Sequence, residues 1–211
     1  MKIHGEYRDG RGSEQIGFET DGTSLKTQIR GVVFEGVDFD GLTSSEQSEL
    51  FTYWQGDLCE CKLILDVPIR LVTPEGLRQT VMKAEVGLGS PGAKGGLDEV
   101  SVSASLTEPE FSIQSPGDSG WFEDELLSLS NALPAGFGIQ ACITCGLSDY
   151  SPYGHGTFGS MACFRDAAED YRQVGSKEDI FALWNRLTEY VQETHYCDQF
   201  EERPKGRGYR G

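Results

Sequence analysis

The stretch CECKLILDVPIRLVTPEGLRQTVMKAEVGL, residues 59–88, decides the fold that the sequence predicts. Its first half alternates apolar and polar residues, with the period of two that places successive side chains on opposite faces of a β-strand. The sequence TPEG at 73–76 predicts a turn, because proline presets φ and glycine accepts a positive φ. Residues 81–88 alternate again, so the stretch predicts a β-hairpin with one buried face. Pro68 favours an edge position because proline cannot donate a backbone hydrogen bond.

Two of the six cysteines, Cys59 and Cys61, belong to this strand pattern. A C-x-C pair can bind a metal ion, but these two residues begin an apolar face that continues through Leu63, Leu65, Val67, Ile69 and Leu71. Because a free cysteine behaves as a small hydrophobic residue, we interpret both as part of the core.

The remaining strands and helices are predicted from the same kind of periodicity. Alternation predicts strands at 14–20, 25–34, 100–106 and 137–145. Hydroxyl residues at 43–45 are typical of a helix cap and predict a short helix near 44–54. Acidic residues in the first turn predict a second helix near 120–132, since the helix dipole favours negative charge there.

The C-terminal part of the chain has a helical period instead. The sequence SKED at 176–179 has the pattern of a capping box, and the apolar residues that follow it recur at helical spacing up to Val191. We therefore expect a long helix at about 177–196. The predicted fold class is α+β: a mostly antiparallel sheet or sandwich with this long helix and the two shorter ones.

Charge restricts the kind of partner. The chain of 211 residues has a net charge of −16, which disfavours nucleic acid and anionic lipid and suits a basic protein, a cationic ligand or a divalent metal. An acidic cytosolic protein with no such partner is the plain alternative. The tail runs against this charge, because residues 198–211 include Arg203, Lys205, Arg207 and Arg210.

Domain organisation and location are expected to be simple. The length fits one domain at 1–211, and we predict an irregular basic tail at 198–211. The N-terminal residues have no apolar segment typical of a signal peptide, and no apolar run has the length of a membrane-spanning helix. We therefore expect a cytoplasmic protein whose cysteines are reduced thiols or metal ligands.

The sequence CITCG at 142–146 has the C-x-x-C-G form of a zinc knuckle. Structural zinc takes four ligands, and beside Cys142 and Cys145 the candidates are Cys163, Cys197 and His155, with Cys59 and Cys61 in reserve. If residues 137–145 form one regular strand, however, Cys142 and Cys145 point to opposite faces and cannot share a metal ion. These cysteines are therefore interpreted either as zinc ligands or as thiols that pack as apolar side chains without a metal ion.

Residues 148–159, SDYSPYGHGTFG, have the composition of a binding loop, since loops of this length are often functional. The candidate binding residues are Asp149, Tyr150, Tyr153, His155 and Phe158. The aromatic residues would anchor a ligand, and His155 could titrate near neutral pH. The alternative is a connecting loop that packs its aromatic residues on its own domain.

Two weaker patterns complete the set of candidate sites. A nucleophilic Cys163 or Cys145 could pair with His155 or His195, although no flanking signature of a cysteine enzyme is present. The acidic groups at 123–125, and Glu189 with Glu193, could face a basic partner or simply be solvated.

Four segments resemble an uncharacterised bacterial family, seen notably in actinobacteria and known as a domain of unknown function. They are IRGVVFEGVDFDGL (29–42), SGWFEDELLSL (119–129), SDYSPYGHGTFGSMACFRD (148–166) and YVQETHYCDQFEERPKGRGYRG (190–211). The resemblance implies a single-module protein and brings no activity, cofactor or catalytic residue.

Three functions follow as hypotheses. The first is a non-enzymatic cytoplasmic binding protein, of the immunity or accessory type, whose acidic surface meets a basic protein partner. The second is a zinc-stabilised interaction domain. The third is a small enzyme with a site around His155 and the neighbouring cysteines.

Overall fold

The computed structural model of the chain describes residues 1–153 and 156–209. Its strands in chain order are β1 (Lys2–Asp9), β2 (Gly12–Thr20), β3 (Leu25–Ile29), β4 (Val32–Gly36), β5 (Thr52–Trp54), β6 (Asp57–Cys59), β7 (Cys61–Thr73), β8 (Gly76–Leu88), β9 (Val100–Glu108), β10 (Phe111–Gln114), β11 (Gly138–Ile139), β12 (Ser148–Tyr150), β13 (Met161–Cys163) and β14 (Glu189–Val191). The α-helices are α1 (Phe122–Ala132), α2 (Ala168–Tyr171) and α3 (Lys177–Leu183). Three single 3-10 turns lie at Cys142–Thr144, Arg165–Ala167 and Trp184–Arg186.

These strands form three antiparallel sheets within the described residues. The largest has the order β10-β9-β8-β7-β1-β2-β3-β4, and β11 also pairs with β7. A second sheet has the order β12-β13-β14, and β5 pairs with β6 in a separate hairpin. The second sheet gathers the C-terminal part of the chain, where the candidate site residues lie.

The hairpin predicted from residues 59–88 is confirmed. Strands β7 and β8 pair in antiparallel register, with Leu65 opposite Ala84. The predicted inward face of β7 is buried throughout, and Cys59 and Cys61 are 1% and 7% exposed. Both cysteines therefore belong to the core, as the periodicity indicated.

The hairpin is not at an edge of the sheet, since β7 lies between β8 and β1. The expectation that Pro68 avoids a central place holds for its own part of the strand, which pairs with β8 only. Pairing with β1 ends at Asp66, and pairing with β11 begins at Leu71. Pro68 thus occupies the interval between two partner strands on that side, which is how an internal strand accommodates a residue without a backbone N–H.

The predicted fold class is wrong because the long C-terminal helix that it includes is not formed. The chain is mostly antiparallel sheet, and residues 177–196 do not form one helix. Ser176 does cap α3, since its Oγ accepts the N–H of Asp179 at 3.2 Å. The helix ends at Leu183, and the chain then becomes strand β14, whose Val191 pairs with Met161 of β13. Pairing with a distant strand overrides the local helical period.

The helix predicted near 44–54 is also absent from the structure, which has strand β5 at the end of this segment. Gln55 and Gly56 both have positive φ, of 52° and 104°, and form the tight turn between β5 and β6. Two positive φ values in sequence are typical of two-residue hairpin turns. The buried Phe51 ring packs edge-on against Phe34 and Tyr7.

The helix predicted near 120–132 is confirmed as α1, but its acidic residues do not all face solvent. Glu123 and Glu125 are each 1% exposed. The Glu125 carboxylate accepts the N–H groups of Gly117 and Ser119 at 2.7 and 3.1 Å. Glu125 therefore holds the turn that precedes the helix, which removes it from any partner-facing surface.

Two groups of buried side chains stabilise the fold. The larger lies on the nine-stranded sheet and includes α1, and the smaller lies around residues 145–187. Among the helices in the described part of the chain, none has the length and apolar character needed to cross a lipid bilayer.

Candidate binding site

Asp149, predicted as a binding-loop residue, lies inside the fold. It is fully buried in β12, and its Oδ2 accepts the Tyr171 hydroxyl at 2.9 Å and the N–H of Tyr209 at 2.6 Å. Arg203 donates to the same Tyr171 oxygen at 3.0 Å. Asp149 thus fastens the C-terminal segment to the second sheet.

Phe158 and Tyr150 are also packed against the protein itself. The Phe158 ring is fully buried, stacks on Phe39 at 4.9 Å between centroids, and meets Phe122 edge-on at 4.8 Å. Tyr150 is half-buried and packs against the larger core. These contacts match the alternative in which the loop packs its aromatic residues on its own domain.

Tyr153 is the exception among the predicted loop residues that the structure describes. Its side chain is 69% exposed, and its ring contacts Phe181 at 5.3 Å and Trp184 at 5.5 Å. Trp184 in turn lies 6.2 Å from Tyr190, which is 42% exposed. The result is an aromatic surface, Tyr153–Phe181–Trp184–Tyr190, contributed by the loop, α3 and β14. His155 lies outside the described residues.

This aromatic surface borders a cavity of about 380 Å³, which we call the Asp38 pocket. Its lining residues are Val37, Asp38, Ser151, Tyr153, Gly156, Gly159, Ser160 and Tyr190. The pocket combines two exposed tyrosines, two serines and one carboxylate. The Oδ1 atom of Asp38 is buried and has no hydrogen-bond partner within residues 1–153 and 156–209.

The pocket is electrically negative. Burial, and then the charge of neighbouring Asp40, raise the pKa of Asp38 to about 6, and Asp57 adds a smaller effect in the same direction. Behind the pocket wall, burial raises the pKa of Glu193 to about 7. The backbone N–H groups of Gly41 and of Asp38 itself lower the pKa of Asp38 by a smaller amount, so a cation in the pocket would meet a carboxylate whose charged form the fold disfavours.

Glycines make the close approach of the loop to Asp38 possible. At Gly159, where φ is +97°, a Cβ atom would lie 2.1 Å from the carbonyl oxygen of Val37. At Gly156, a Cβ atom would lie 2.4 Å from Oδ2 of Asp38. The Glu193 carboxylate also accepts the N–H groups of Gly159 and Ser160 at 2.8 and 3.1 Å, which fixes this wall of the pocket.

The four cysteines predicted as zinc ligands come from three parts of the chain. Residues 137–145 are not one regular strand: β11 ends at Ile139, and Cys142–Thr144 form a 3-10 turn. The condition under which Cys142 and Cys145 would point to opposite faces of a strand is therefore not met. Cys142, Cys145 and Cys163 are buried, Cys197 is half-buried, and all four are free thiols. In the ranges 1–153 and 156–209, no group of three or more His, Cys, Asp or Glu side chains is placed to hold a metal ion.

The same cysteines are poorly placed for nucleophilic attack. Burial raises the pKa of both Cys145 and Cys163, which disfavours the thiolate that a catalytic cysteine needs. Burial also lowers the pKa of His195. Glu193, proposed to share an exposed helix face with Glu189, is fully buried instead.

Sequence reasoning missed Asp38 and Tyr190. Asp38 lies in the run Val37-Asp38-Phe39-Asp40, whose alternation hints at one buried and one polar face. Tyr190 was assigned to a helix. No local sequence pattern shows that Asp38 and Tyr190 line the same pocket as Tyr153, because the fold brings these three residues together from distant parts of the chain.

The chain matches the family of unknown function DUF6304 over residues 1–148. This confirms the resemblance to a domain of unknown function. The segments 148–166 and 190–211, on which the resemblance also rested, extend beyond the match. No curated protein and no solved structure matches the chain.

Proposed function

The chain belongs to this family of unknown function, so we propose its role from the site: a non-catalytic cytoplasmic binding protein, of the immunity or accessory type, that holds a basic protein partner. In this proposal an arginine or lysine side chain of the partner enters the Asp38 pocket.

The observation that carries the proposal is the carboxylate of Asp38, whose buried Oδ1 has no hydrogen-bond partner among the described residues, beside two exposed tyrosines. A buried charge without a partner is unfavourable, so a cation that reaches Asp38 gains more there than at an exposed acid. Tyrosine faces attract cations through their ring electrons. Arginine suits such a pocket best, because its planar guanidinium stacks on aromatic rings and forms paired hydrogen bonds to a carboxylate.

The electrostatic field of the whole molecule also favours a basic protein as the partner. The net charge of −16 attracts basic proteins over several ångströms and speeds their association at low ionic strength. Long-range attraction alone does not select a partner, whereas a pocket with a defined carboxylate does. The two effects together favour a specific complex with a basic surface.

The location in the cytoplasm is part of the proposal. Six cysteines are free thiols in the described residues, and five of them are buried. Free thiols persist in a reducing compartment, whereas exported proteins generally pair theirs as disulfides.

The first prediction tests the pocket with a short peptide that contains arginines separated by glycines. We expect it to bind at low ionic strength, with affinity falling as salt rises. The same peptide with citrulline in place of each arginine has nearly the same shape and no charge, and it should bind at least about tenfold more weakly. Isothermal titration calorimetry measures both.

Two variants separate the pocket from the general field. Asp38→Asn and Glu75→Gln each remove one negative charge, but Glu75 lies in the exposed turn between β7 and β8 and does not line the pocket. We expect Asp38→Asn to weaken binding about tenfold or more and Glu75→Gln to have little effect. Equal losses in the two variants, or no binding of the arginine peptide, would overturn the proposal.

A further inference from the structure

A second cavity, of about 340 Å³, lies where three parts of the chain meet, and we call it the Arg70 cavity. Strand β7 contributes Arg70, the turn between β2 and β3 contributes Asp21, and the segment after β14 contributes residues 194–196. Among the described residues, the Arg70 cavity shares no lining residue with the Asp38 pocket.

Hydrogen bonds hold the walls of this cavity together. The N–H of Gln192 donates to the carbonyl oxygen of Gly22 at 2.8 Å, and its Oε1 accepts the Thr20 hydroxyl at 2.8 Å. At Gly22, where φ is +102°, a Cβ atom would lie 2.2 Å from Nδ1 of His195. The carbonyl oxygen of His195 accepts the N–H of Cys142 at 2.7 Å. The fold thus fixes the backbone on both sides of the cavity.

Arg70 is the one arginine in residues 1–153 and 156–209 whose guanidinium has neither an ion pair nor a hydrogen bond. Each of the others in these ranges contacts a carboxylate or a carbonyl oxygen. The guanidinium of Arg70 stacks on the ring of Tyr196, with Cζ 3.7 Å from the centroid. Stacking uses the flat face of the guanidinium and leaves the N–H groups at its edge available for a planar anion.

Thr194, in the wall of the cavity, gives a second and independent observation. It is 5% exposed, and its Oγ1 has no hydrogen-bond partner in the described part of the chain. A buried hydroxyl without a partner is unfavourable, so a ligand oxygen would satisfy a donor that the fold leaves open. Burial lowers the pKa of the neighbouring His195, whose neutral imidazole can donate one further hydrogen bond.

Asp21 adds a negative charge to the same cavity. Its Oδ1 accepts the N–H groups of Ser24 and Thr23 at 2.8 and 2.9 Å, which holds the pKa of this carboxyl well below its usual value. Its Oδ2 has no hydrogen bond to any described residue. Among the ion pairs of the described ranges, none joins Asp21 to Arg70, so a ligand in the cavity can meet a negative and a positive charge at once.

We propose that the Arg70 cavity binds a free α-amino acid, with the carboxylate of the ligand on the guanidinium of Arg70 and its ammonium group on the carboxylate of Asp21. The N–H groups of an arginine match the two oxygens of a carboxylate.

The charge and size of the site favour this class of ligand. An amino acid with an uncharged side chain is neutral overall, so the net charge of −16 does not repel it, whereas it does repel phosphate. The volume of about 340 Å³ lies at the lower end for small-molecule sites, which is about 300–1,000 Å³. The proposal does not depend on the basic partner of the Asp38 pocket.

The second prediction concerns amino-acid binding by the unmutated protein. Saturation-transfer NMR with each of the protein amino acids, at up to about 10 mM, should find at least one that binds. For the one that binds most tightly, calorimetry should show that two analogues bind at least about tenfold more weakly: the acid without the amino group and the amine without the carboxylate. The proposal is overturned if no amino acid binds, if either analogue binds equally well, or if inorganic phosphate binds more tightly.

Three variants locate the site. Arg70→Gln should weaken binding of that amino acid about tenfold or more. Arg8→Gln removes an exposed arginine of β1 that does not line the cavity, and it should not change the affinity. Asp38→Asn should also bind like the unmutated protein, which separates this cavity from the Asp38 pocket. Equal affinities of Arg70→Gln and Arg8→Gln would contradict the assignment. If circular dichroism shows that Arg70→Gln does not fold, the two analogues decide on the unmutated protein.

Discussion

The charged form of the Asp38 side chain has a higher free energy in the folded chain than in water. Burial is the main reason, and the charges of Asp40 and Asp57 add to it. Glu193, also buried, lies within electrostatic reach of the same group. Residues placed this way are often functional, because the energy that they lose in folding is recovered when a ligand binds.

The third prediction follows from the direction in which folding shifts the pKa of Asp38. A carboxyl group whose pKa rises from 3.8 to about 6 on folding stabilises the protein in its protonated form. That contribution is fully present below pH 3.8 and is lost as the pH rises through about 6. Asp38→Asn should therefore be more stable than the unmutated protein at pH 8, by about 1–2 kcal/mol, and should bind the arginine peptide poorly.

Urea unfolding at pH 4.5 and pH 8 tests this prediction. The free energy of unfolding of the unmutated protein should fall more between these two values than that of Asp38→Asn. Glu75→Gln serves as the control, since its exposed carboxylate should not change the slope. An Asp38→Asn variant that is less stable at pH 8 would show that the charge of Asp38 is compensated within the fold.

At the scale of elements, the periodicity of apolar residues correctly predicts the strands and helices whose contacts are mainly with sequence neighbours. The β7–β8 hairpin and α1 are of this kind, and both were predicted near their observed bounds. The segment 177–196 has equally clear periodicity, yet only α3 is helical. Its later residues include β-branched and aromatic side chains that also favour strands, and β13 supplies the partner that makes the strand.

The candidate site shows the same limit. The loop and its exposed Tyr153 were identified from composition, because long loops rich in glycine and aromatic residues are unusual. Phe158 was assigned to ligand binding for the same reason, but its partners Phe39 and Phe122 lie far away in the sequence. A residue type thus indicates that a side chain has a role, and the fold decides which role.

The fourth prediction concerns the C-terminal segment that Asp149 fastens. Asp149→Ala removes the acceptor of the Tyr209 N–H and one of the two acceptors of the buried Tyr171 hydroxyl, which keeps the Ser148 carbonyl at 2.9 Å. Unsatisfied buried donors are costly, so we expect a loss of about 2–4 kcal/mol in the free energy of unfolding. Trypsin should also cut the basic segment after Lys205 and Arg207 faster, whereas Arg203 precedes Pro204 and is not a cleavage site.

Asp118→Ala is the matched control, because Asp118 is an exposed aspartate in the turn before α1. Its unfolding curve and its trypsin pattern should match those of the unmutated protein. Unchanged stability of Asp149→Ala would show that the tail is held by other contacts, such as the bridge between Cys145 and Glu202.

At the scale of the whole molecule, the two groups of buried side chains share the second sheet. Met161 and Cys163 of β13 belong to the larger core, whereas Ala162 between them belongs to the smaller one. Alternate side chains of a strand point to opposite faces, so β13 is a common wall. The family match ends at residue 148, within this shared region.

The fifth prediction is that the chain unfolds as one cooperative unit, because neither core is complete without β13. Trp54→Phe/Trp121→Phe retains only Trp184, which packs against the smaller core, and its fluorescence reports that region. Far-UV circular dichroism reports mainly the large sheet. The two signals should give the same urea midpoint, as two-state unfolding requires.

Trp184→Phe is the control, and its remaining tryptophans should report the same transition. Two separate midpoints would instead divide the chain into two domains near the end of the family match, since each core would then persist without the shared strand.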